Sequence, residues 1–380
     1  MSIPDPFDDA MDRAVPRAAR SPSSHNSQPW GLVWARSPAA REGLAALLGG
    51  PVEPSSHYLV LALDRERELR ALPSLAVEMT LSCGIYLDSI LAELALAGFR
   101  AAPRWFATAP GADHPSLAGI PDLWAPLALV ELGPAEPRPR DGRRSEGRTT
   151  NRGPYRSDAV PEAVLLALAR ASTPLDSPAG SAGVRVHLVA DRERIRQTGE
   201  FVREHAHLDF AHGEAWRETY RFIRFGASAI REAQDGMPIT QLLGPLSAPG
   251  RRAYQLALWP PAMAFLSRVG YARRIVRPFG ELVAGSGLLL ALSTDRDEPS
   301  VRELLAAGGV AIDLWERASA AGLALHPVSV VLQHPEVRLR FQELLGTAGR
   351  TVFFARAGYP TVSFPPAPKR RDPWAAVARL

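Results

Sequence analysis

The sequence predicts an α+β protein built from two related halves. Short apolar runs bounded by Asp, Gly or Pro alternate with longer stretches of helical periodicity. Two of those stretches repeat the same spacing of landmarks, and a segment rich in Pro, Arg and Gly separates them. The first half covers 14–135, a linker 136–147 and the second half 148–380.

The strand candidates are 57–63, 127–132, 184–190, 288–292 and 351–356, and helical patterns occupy 75–97, 162–171, 191–208, 214–233, 300–321 and 336–345. In the first half a helix reaches Gly98, Pro103 follows five residues later, and a strand opens at Leu127, twenty-four further on. In the second half Gly322, Pro327 and Thr351 repeat both steps. Upstream, Gly84 with Asp88 answers to Gly309 with Asp313, offset by one residue, and each helix follows a strand ending Leu-Ala-Leu. A helix-ending Gly followed by Pro is common punctuation, so a single match could arise by chance. Agreement along the whole series favours duplication. The segment 205–280 has no counterpart in the first half and is expected to be a helical insertion, conceivably a lid.

Composition narrows the function classes. A chain of 380 residues with 46% hydrophobic and 22% charged residues is long enough for a large buried core. Charges interrupt the apolar stretch 75–99 at Glu78, Asp88 and Glu93, so no membrane-spanning helix is expected. The start, with Asp5, Asp8, Asp9 and Asp12, does not read as a secretory signal, and a cytoplasmic location follows by default. Of 44 basic residues only Lys369 is lysine, and the arginines are dispersed among 40 acids without an aromatic-interleaved stripe, which argues against a nucleic-acid partner. The lone Cys83 sits in an apolar run and reads as a packed small hydrophobe, so redox chemistry needs a cofactor.

Two segments concentrate chemistry. Pro22-Ser23-Ser24-His25-Asn26-Ser27-Gln28-Pro29-Trp30 gathers hydroxyls, amides, an imidazole and an indole. Such a turn can offer N–H groups and hydroxyls to a ligand, and amides can read a heterocycle's edge. The plain alternative is a helix cap followed by a Pro turn. Arg148-Thr149-Thr150-Asn151-Arg152 sets two guanidiniums four residues apart. In a helical or turning segment both face one side, where they could chelate a phosphate with Thr150; the alternative is a solvated basic surface.

The first segment resembles the Pro-Ser-Ser-x-Asn-x-Gln-Pro-Trp element of the FMN-dependent nitroreductase superfamily, and the second its Arg-Arg-Ser-x-Arg phosphate element, with Thr149 in place of the second Arg. The pair is most similar to the Acg-like subfamily, in which two nitroreductase halves are fused. The likeness extends to Arg356-Ala357-Gly358-Tyr359 and to Lys369-Arg370-Arg371-Asp372-Pro373, and it is weakest over 205–280. It implies a nitroreductase-like fold in which the halves form an intramolecular pseudo-dimer, plausibly a monomer in solution, holding one FMN per chain. Each half has kept one element: the turn lies in the first and the arginine element in the second.

By this resemblance Arg148, Thr150 and Arg152 hold the phosphate, with Arg370 or Arg371 closing the shell. Ser23, Ser24, His25, Asn26 and Gln28 lie along the ribityl chain and pyrimidine edge; Arg20 or His25 could serve near N1 and O2. The loop 325–329, with His326, Pro327 and Val328, runs beside the ring and could reach N5 through its backbone. The implied activity is hydride transfer to or from a small organic substrate, with NAD(P)H as transient co-substrate. No catalytic acid or base is required, and none is assigned.

Two other readings stand beside it: a flavin-sequestering protein whose insertion closes over the ring, and an oxidase or dehydrogenase of a biosynthetic intermediate. Trp216, Tyr220, Phe222 and Trp259 are the discriminating side chains, since they would either wall a roomy pocket or fill it. Metal binding at His205, His207 and His212 is not expected, because no Cys or ordered carboxylate completes the set. Gly285-Ser286-Gly287 lacks the spacing of a nucleophile elbow, and no Gly-x-Gly-x-x-Gly or Walker loop appears.

Overall fold

The computed structural model describes residues 5–106, 118–138, 148, 150–173, 183–363 and 369–380. Most of the linker 136–147, and Thr149, lie outside the described residues. The first half runs α1 (Pro6–Ala18), β1 (Trp30–Ala35), α2 (Pro38–Leu47), β2 (His57–Asp64), α3 (Pro73–Leu96), β3 (Phe99–Trp105) and β4 (Trp124–Pro134). The second opens with α4 (Glu162–Ala169), β5 (Val184–Val189) and α5 (Arg192–His205). The insertion then supplies α6 (His207–Ala211), α7 (Gly213–Tyr220), β6 (Ile223–Arg224), α8 (Ala227–Glu232), β7 (Met237–Pro238), α9 (Ile239–Leu243), α10 (Ala248–Leu258), α11 (Pro260–Arg268) and α12 (Tyr271–Ala284). The chain continues through β8 (Leu288–Thr294), α13 (Val301–Ala320), β9 (Ala324–Pro327), α14 (Pro335–Leu345), β10 (Arg350–Gly358) and β11 (Val377–Arg379).

Both halves share one sheet topology. The first sheet contains β1-β2-β4-β3 and the second β5-β8-β10-β9, with every one of these pairings antiparallel. In each, the fourth strand lies between the second and third, and the long helix, α3 or α13, connects the second strand to the third. β3 escapes the apolar-run criterion because it alternates half-buried and exposed residues and carries Pro103, which an edge strand tolerates.

The two long helices cross at their glycines. A Cβ on Gly84 would stand 2.3 Å from the Leu305 carbonyl oxygen, and one on Gly308 2.3 Å from that of Leu81. The reciprocity makes Gly84 the equivalent of Gly308 rather than Gly309. Gly84 to Gly308, Gly98 to Gly322 and Pro103 to Pro327 then share one separation of 224 residues. The expected offset of one residue disappears. α3 is long and apolar enough to cross a membrane, yet 83% of its most apolar window is buried between the sheets, as expected for a helix that is apolar on all sides.

The C-terminus crosses back. β11 pairs in parallel with β1, Leu32 opposite Val377, so the last residues of the second half complete the first sheet. That crossing brings 369–372 against the Ser23–Gln28 turn. The insertion also reaches the first half: Glu218 accepts from the Arg70 and Ala71 N–H groups, each at 2.9 Å, and Asp235 pairs with Arg67 at 3.2 Å. Residues 214–233 do not form the single helix their periodicity suggests, because the chain turns into β6 before Gly226 and resumes as α8.

Candidate active site

The Ser23–Gln28 turn follows β2's neighbour α1 and enters β1, and its backbone is unusual. His25, Asn26 and Gln28 all have φ of 52–53°. Left-handed backbone is costly for residues with a Cβ and persists only where surroundings over-determine it. Here the amides do so. Asn26 Nδ2 donates to the carbonyls of Gly236 at 2.9 Å and Lys369 at 3.0 Å; Gln28 Nε2 donates to Gln234 O at 2.9 Å, and Gln28 Oε1 accepts from the Arg371 N–H at 3.1 Å. Turn, insertion and C-terminal segment are thereby stitched together.

Beside the turn, a cavity of about 250 Å³ lies between the halves. The first half contributes Pro22–His25 and, from α3, Glu78, Leu81, Ser82 and Ile85; the second contributes Thr150, Arg152, Trp315, His326–Val330 and the β10 segment at Val352–Phe354. The insertion adds Met237, Leu242 and Phe279. Ser23, Ser24, His25, Thr150, Arg152, His326, Pro327 and Val328 therefore come together from both halves.

Asn26, Gln28, Arg148, Arg370 and Arg371 do not line the cavity. The two amides are committed to the backbone, as described. Arg371 is 7% exposed and points into the first half, donating to the carbonyls of Gln28 at 3.1 Å and Trp30, with Asp64 3.5 Å away. Its role is to hold the turn, β1 and β2, not to close a ligand shell.

Arg148 and Arg152 diverge. Thr150 bridges to Leu325, and the two arginines meet different partners, Arg148 at Trp315 and Arg20 O and Arg152 at Met237 Sδ. Arg148 stacks 4.7 Å over Trp315 and donates to Arg20 O at 3.1 Å, while Arg370 donates to Ser21 O at 2.6 Å. Burial pulls Arg148 down to about 10, Glu316 opposing and Arg20 adding. Burial, then the charges of Arg148 and Arg20, lowers Arg370 to about 9. The three guanidiniums repel one another outside the cavity lining, behind the wall residue Trp315, with Glu316 offsetting part of that repulsion.

Arg152 does line the cavity, contacting Met237 Sδ at 3.1 Å. Burial, with Arg356 adding and Tyr155 opposing, lowers it to about 10.

The segment expected as a loop beside the ring is partly strand, since β9 ends at Pro327. The Val328 N–H donates to Phe354 O at 2.9 Å and so is unavailable to a ligand. His326 pairs across the ladder with Arg356, whose Nε donates to His326 Nδ1 at 3.0 Å. Burial, then Arg356 and Arg152, pushes His326 well below its ordinary range. It is a neutral imidazole whose proton lies on Nε2.

His25 is also neutral, lowered to about 4 by burial and then by Arg152. Its Nδ1 lies 3.0 Å from Ser24 Oγ, which lies 2.5 Å from Glu78 Oε2. Glu78 is raised by burial, opposed by bonds from Ser24, Ser329 and Gln333. Glu78, Trp315 and Arg356 were not among the expected site residues. The signal for Glu78 was an acid within an apolar helix, which counted only against membrane insertion.

The four aromatic residues of the insertion neither wall the cavity nor fill it. Trp216 is buried in the insertion's own core, donating to Leu258 O at 2.7 Å, and Trp259 is 53% exposed. Tyr220 packs against that same core, and Phe222 belongs to the first half's core, 6.5 Å from the His25 ring. Cys83 is fully buried and burial pushes its thiol up. Among the described residues no group of three or more His, Cys, Asp or Glu could hold a metal.

Two halves of equivalent sheet topology enclose a cavity that includes Arg152. The chain is 30% identical over 380 residues, 97% of its length and 93% of the relative's, to "Probable NAD(P)H nitroreductase PigM" of Serratia sp., and it belongs to the nitroreductase family of oxidoreductases. Among solved structures, the FMN-dependent nitroreductase NfnB from Mycobacterium smegmatis in complex with NADPH aligns with 58% of this chain and 91% of its own at 19% identity and a TM-score of 0.33. A nitroreductase with bound FMN from Desulfitobacterium hafniense aligns with 58% and 89% at 13% identity, also with a TM-score of 0.33. No family model matches the chain.

Proposed function

We propose that this chain is an FMN-dependent NAD(P)H oxidoreductase of the fused, Acg-like type, which holds one FMN between its halves and acts on a small organic molecule. The observation that carries this is one cavity between the halves, lined by Ser23, Ser24 and His25 of the first and by Thr150 and Arg152 of the second, with Arg148 stacked on its wall residue Trp315 and Arg370 bonded to Ser21 O next to its wall residue Pro22. Guanidiniums suit a phosphate, the apolar walls of Leu81, Ile85 and Phe353 suit a flat heterocycle, and Ser23 and Thr150 suit the hydroxylated chain between.

When bound, FMN supplies a two-electron carrier that takes and returns hydride at N5. The chain's residues do the rest. Arg148 and Arg370 would hold the phosphate, with Trp315 orienting the Arg148 guanidinium by stacking. Arg152 sets a fixed positive charge beside His25 and His326, where it stabilises negative charge without reorganisation. His326, locked by Arg356, presents a neutral donor.

Turnover is favoured over flavin storage because Trp216, Tyr220, Phe222 and Trp259 do not enter the cavity, to which the insertion adds only Met237, Leu242 and Phe279. The test is anaerobic mixing of FMN-loaded protein with NADH or NADPH. Bleaching of the flavin's visible absorbance, restored by an electron-poor acceptor, is the expected result; a flavin left oxidised by both nicotinamides contradicts it.

A further inference from the structure

Cofactor binding does not call for Glu78. It is an acid facing the cavity from an otherwise largely apolar helix, and it carries an organised set of partners. Glu78 Oε2 and Ser24 Oγ are 2.5 Å apart, Ser24 Oγ and His25 Nδ1 3.0 Å, and the Gln333 amide donates to Glu78 Oε1. All three of Glu78, Ser24 and His25 line the cavity. The turn holds His25 at a φ of 53°, and no described residue bonds its Nε2. The strained backbone therefore sets one imidazole nitrogen on the hydroxyl and leaves the other without a protein partner.

We propose that Glu78, Ser24 and His25 form a proton relay that serves the cavity through His25 Nε2. It has two states. In the first, the Glu78 carboxylic acid donates to Ser24 Oγ, the Ser24 hydroxyl donates to His25 Nδ1, and Nε2 carries the proton. In the second, Nε2 has released its proton into the cavity, the Ser24 proton has moved to Nδ1, and the Glu78 proton has moved to Ser24, leaving a carboxylate. One proton leaves and one acid ionises. The imidazole passes it on and ends neutral in both states.

The surroundings support this division. Arg152 faces His25 and, with burial, disfavours an imidazolium. Burial raises Glu78, opposed by the bonds from Ser24, Ser329 and Gln333, which favours the acid form relative to an exposed carboxyl. Ser329 and Gln333 bond Glu78 from the segment before α14. From α6, Asp209 adds a second acid; burial, with His334 opposing and Glu78 adding, raises it to about 7.

Use of the relay in turnover rests on the cofactor reading above. An acceptor that receives hydride, drawn ultimately from a nicotinamide, needs one proton to complete its reduction, and Nε2–H supplies it. In the opposite direction Nε2 in the second state accepts a proton from a hydroxyl as hydride leaves the carbon.

The relay itself is tested without turnover, by ¹⁵N NMR of histidine-labelled, FMN-loaded protein and of the FMN-free protein across pH. His25 is expected to stay neutral above about pH 4 and to change from the Nε2–H to the Nδ1–H tautomer as pH rises through the Glu78 ionisation. Glu78→Gln and Ser24→Ala should each abolish that change. A single tautomer at every pH in the unsubstituted protein, or an unaltered tautomer titration in Glu78→Gln, overturns the relay. A second readout is the substrate-reduction step in flavin-loaded Glu78→Gln, which should slow by about 10² and lose its pH dependence while flavin reduction by nicotinamide is unchanged. Equal slowing of both steps contradicts the assignment. Absence of FMN binding would defeat the cofactor reading and leave the tautomer result to stand or fall on its own.

Discussion

The two cavity walls hold their histidines differently. On the second-half wall, His326 receives a hydrogen bond from Arg356, which is fully buried, stacked 4.1 Å from the Tyr155 ring and bonded to Gly153 O at 2.8 Å. A guanidinium is always a donor, so the His326 tautomer is fixed. On the first-half wall, His25 meets a hydroxyl, which donates or accepts according to the state of Glu78. The partner of Nδ1 thus makes one imidazole a permanent donor and the other switchable.

The largest expected effect lies at the anionic end, where both walls must act together. Replacing Arg148 and Arg370 together by Ala removes two charge-assisted bonds of about 1.5–3 kcal/mol each, and FMN affinity measured by fluorescence titration should fall at least ~100-fold. Arg371→Ala tests the neighbouring arginine, whose partners are in the first half's core. It removes the bonds to the Gln28 and Trp30 carbonyls and one of the two guanidiniums beside Asp64, Arg67 remaining, and chemical denaturation should show a loss of about 1–3 kcal/mol. A stable Arg371→Ala protein with weakened FMN binding would reverse that assignment.

Arg356→Met should turn the locked wall into a loose one. His326 loses its donor and the Gly153 carbonyl its partner, at a cost of about 1–3 kcal/mol for each buried group left unsatisfied, and the His326 ¹⁵N signals should show mixed tautomers. A smaller change tests the spacing of the walls. Gly308→Ala forces a Cβ toward the Leu81 carbonyl at the crossing of the long helices, and overpacking of about 1–3 kcal/mol should appear as a lowered unfolding midpoint.

A further effect is in pH. Both histidines are lowered by folding, so the unfolded chain binds protons there that the native chain excludes, and their contribution to stability rises with pH between about 4, where His25 titrates, and 6.5, opposed by Asp209, which is raised to about 7. Each histidine contributes at most about 1.4 kcal/mol per pH unit in that window. His25→Asn should reduce the slope, and an unchanged slope would mean that His25 is not held neutral.

Much of this was legible in the sequence. The two motifs and the repeated spacing of Gly98, Pro103, Gly322 and Pro327 are local signals, and local signals survive in a linear chain. What could not be read depends on tertiary placement. Thr150 is placed by its bridge to Leu325, distant in sequence, which no local periodicity announces. Arg370 and Arg371 look interchangeable in sequence, yet in the crossing C-terminal segment one bonds the Ser21 carbonyl and the other the carbonyls of Gln28 and Trp30 in the first half's core. Asn26 and Gln28 have the chemistry to read a heterocycle; here that chemistry holds three segments together. Glu78 gains meaning only once α3 is placed under Ser24.

One measurement bears most directly on a cavity shared by two halves: the amount of FMN bound per chain. Titration of FMN-free protein with FMN, followed by calorimetry and checked by release of flavin on denaturation, should give one FMN per chain. Two per chain, or none, would contradict a single site assembled from Arg148 and the Ser23–Gln28 turn.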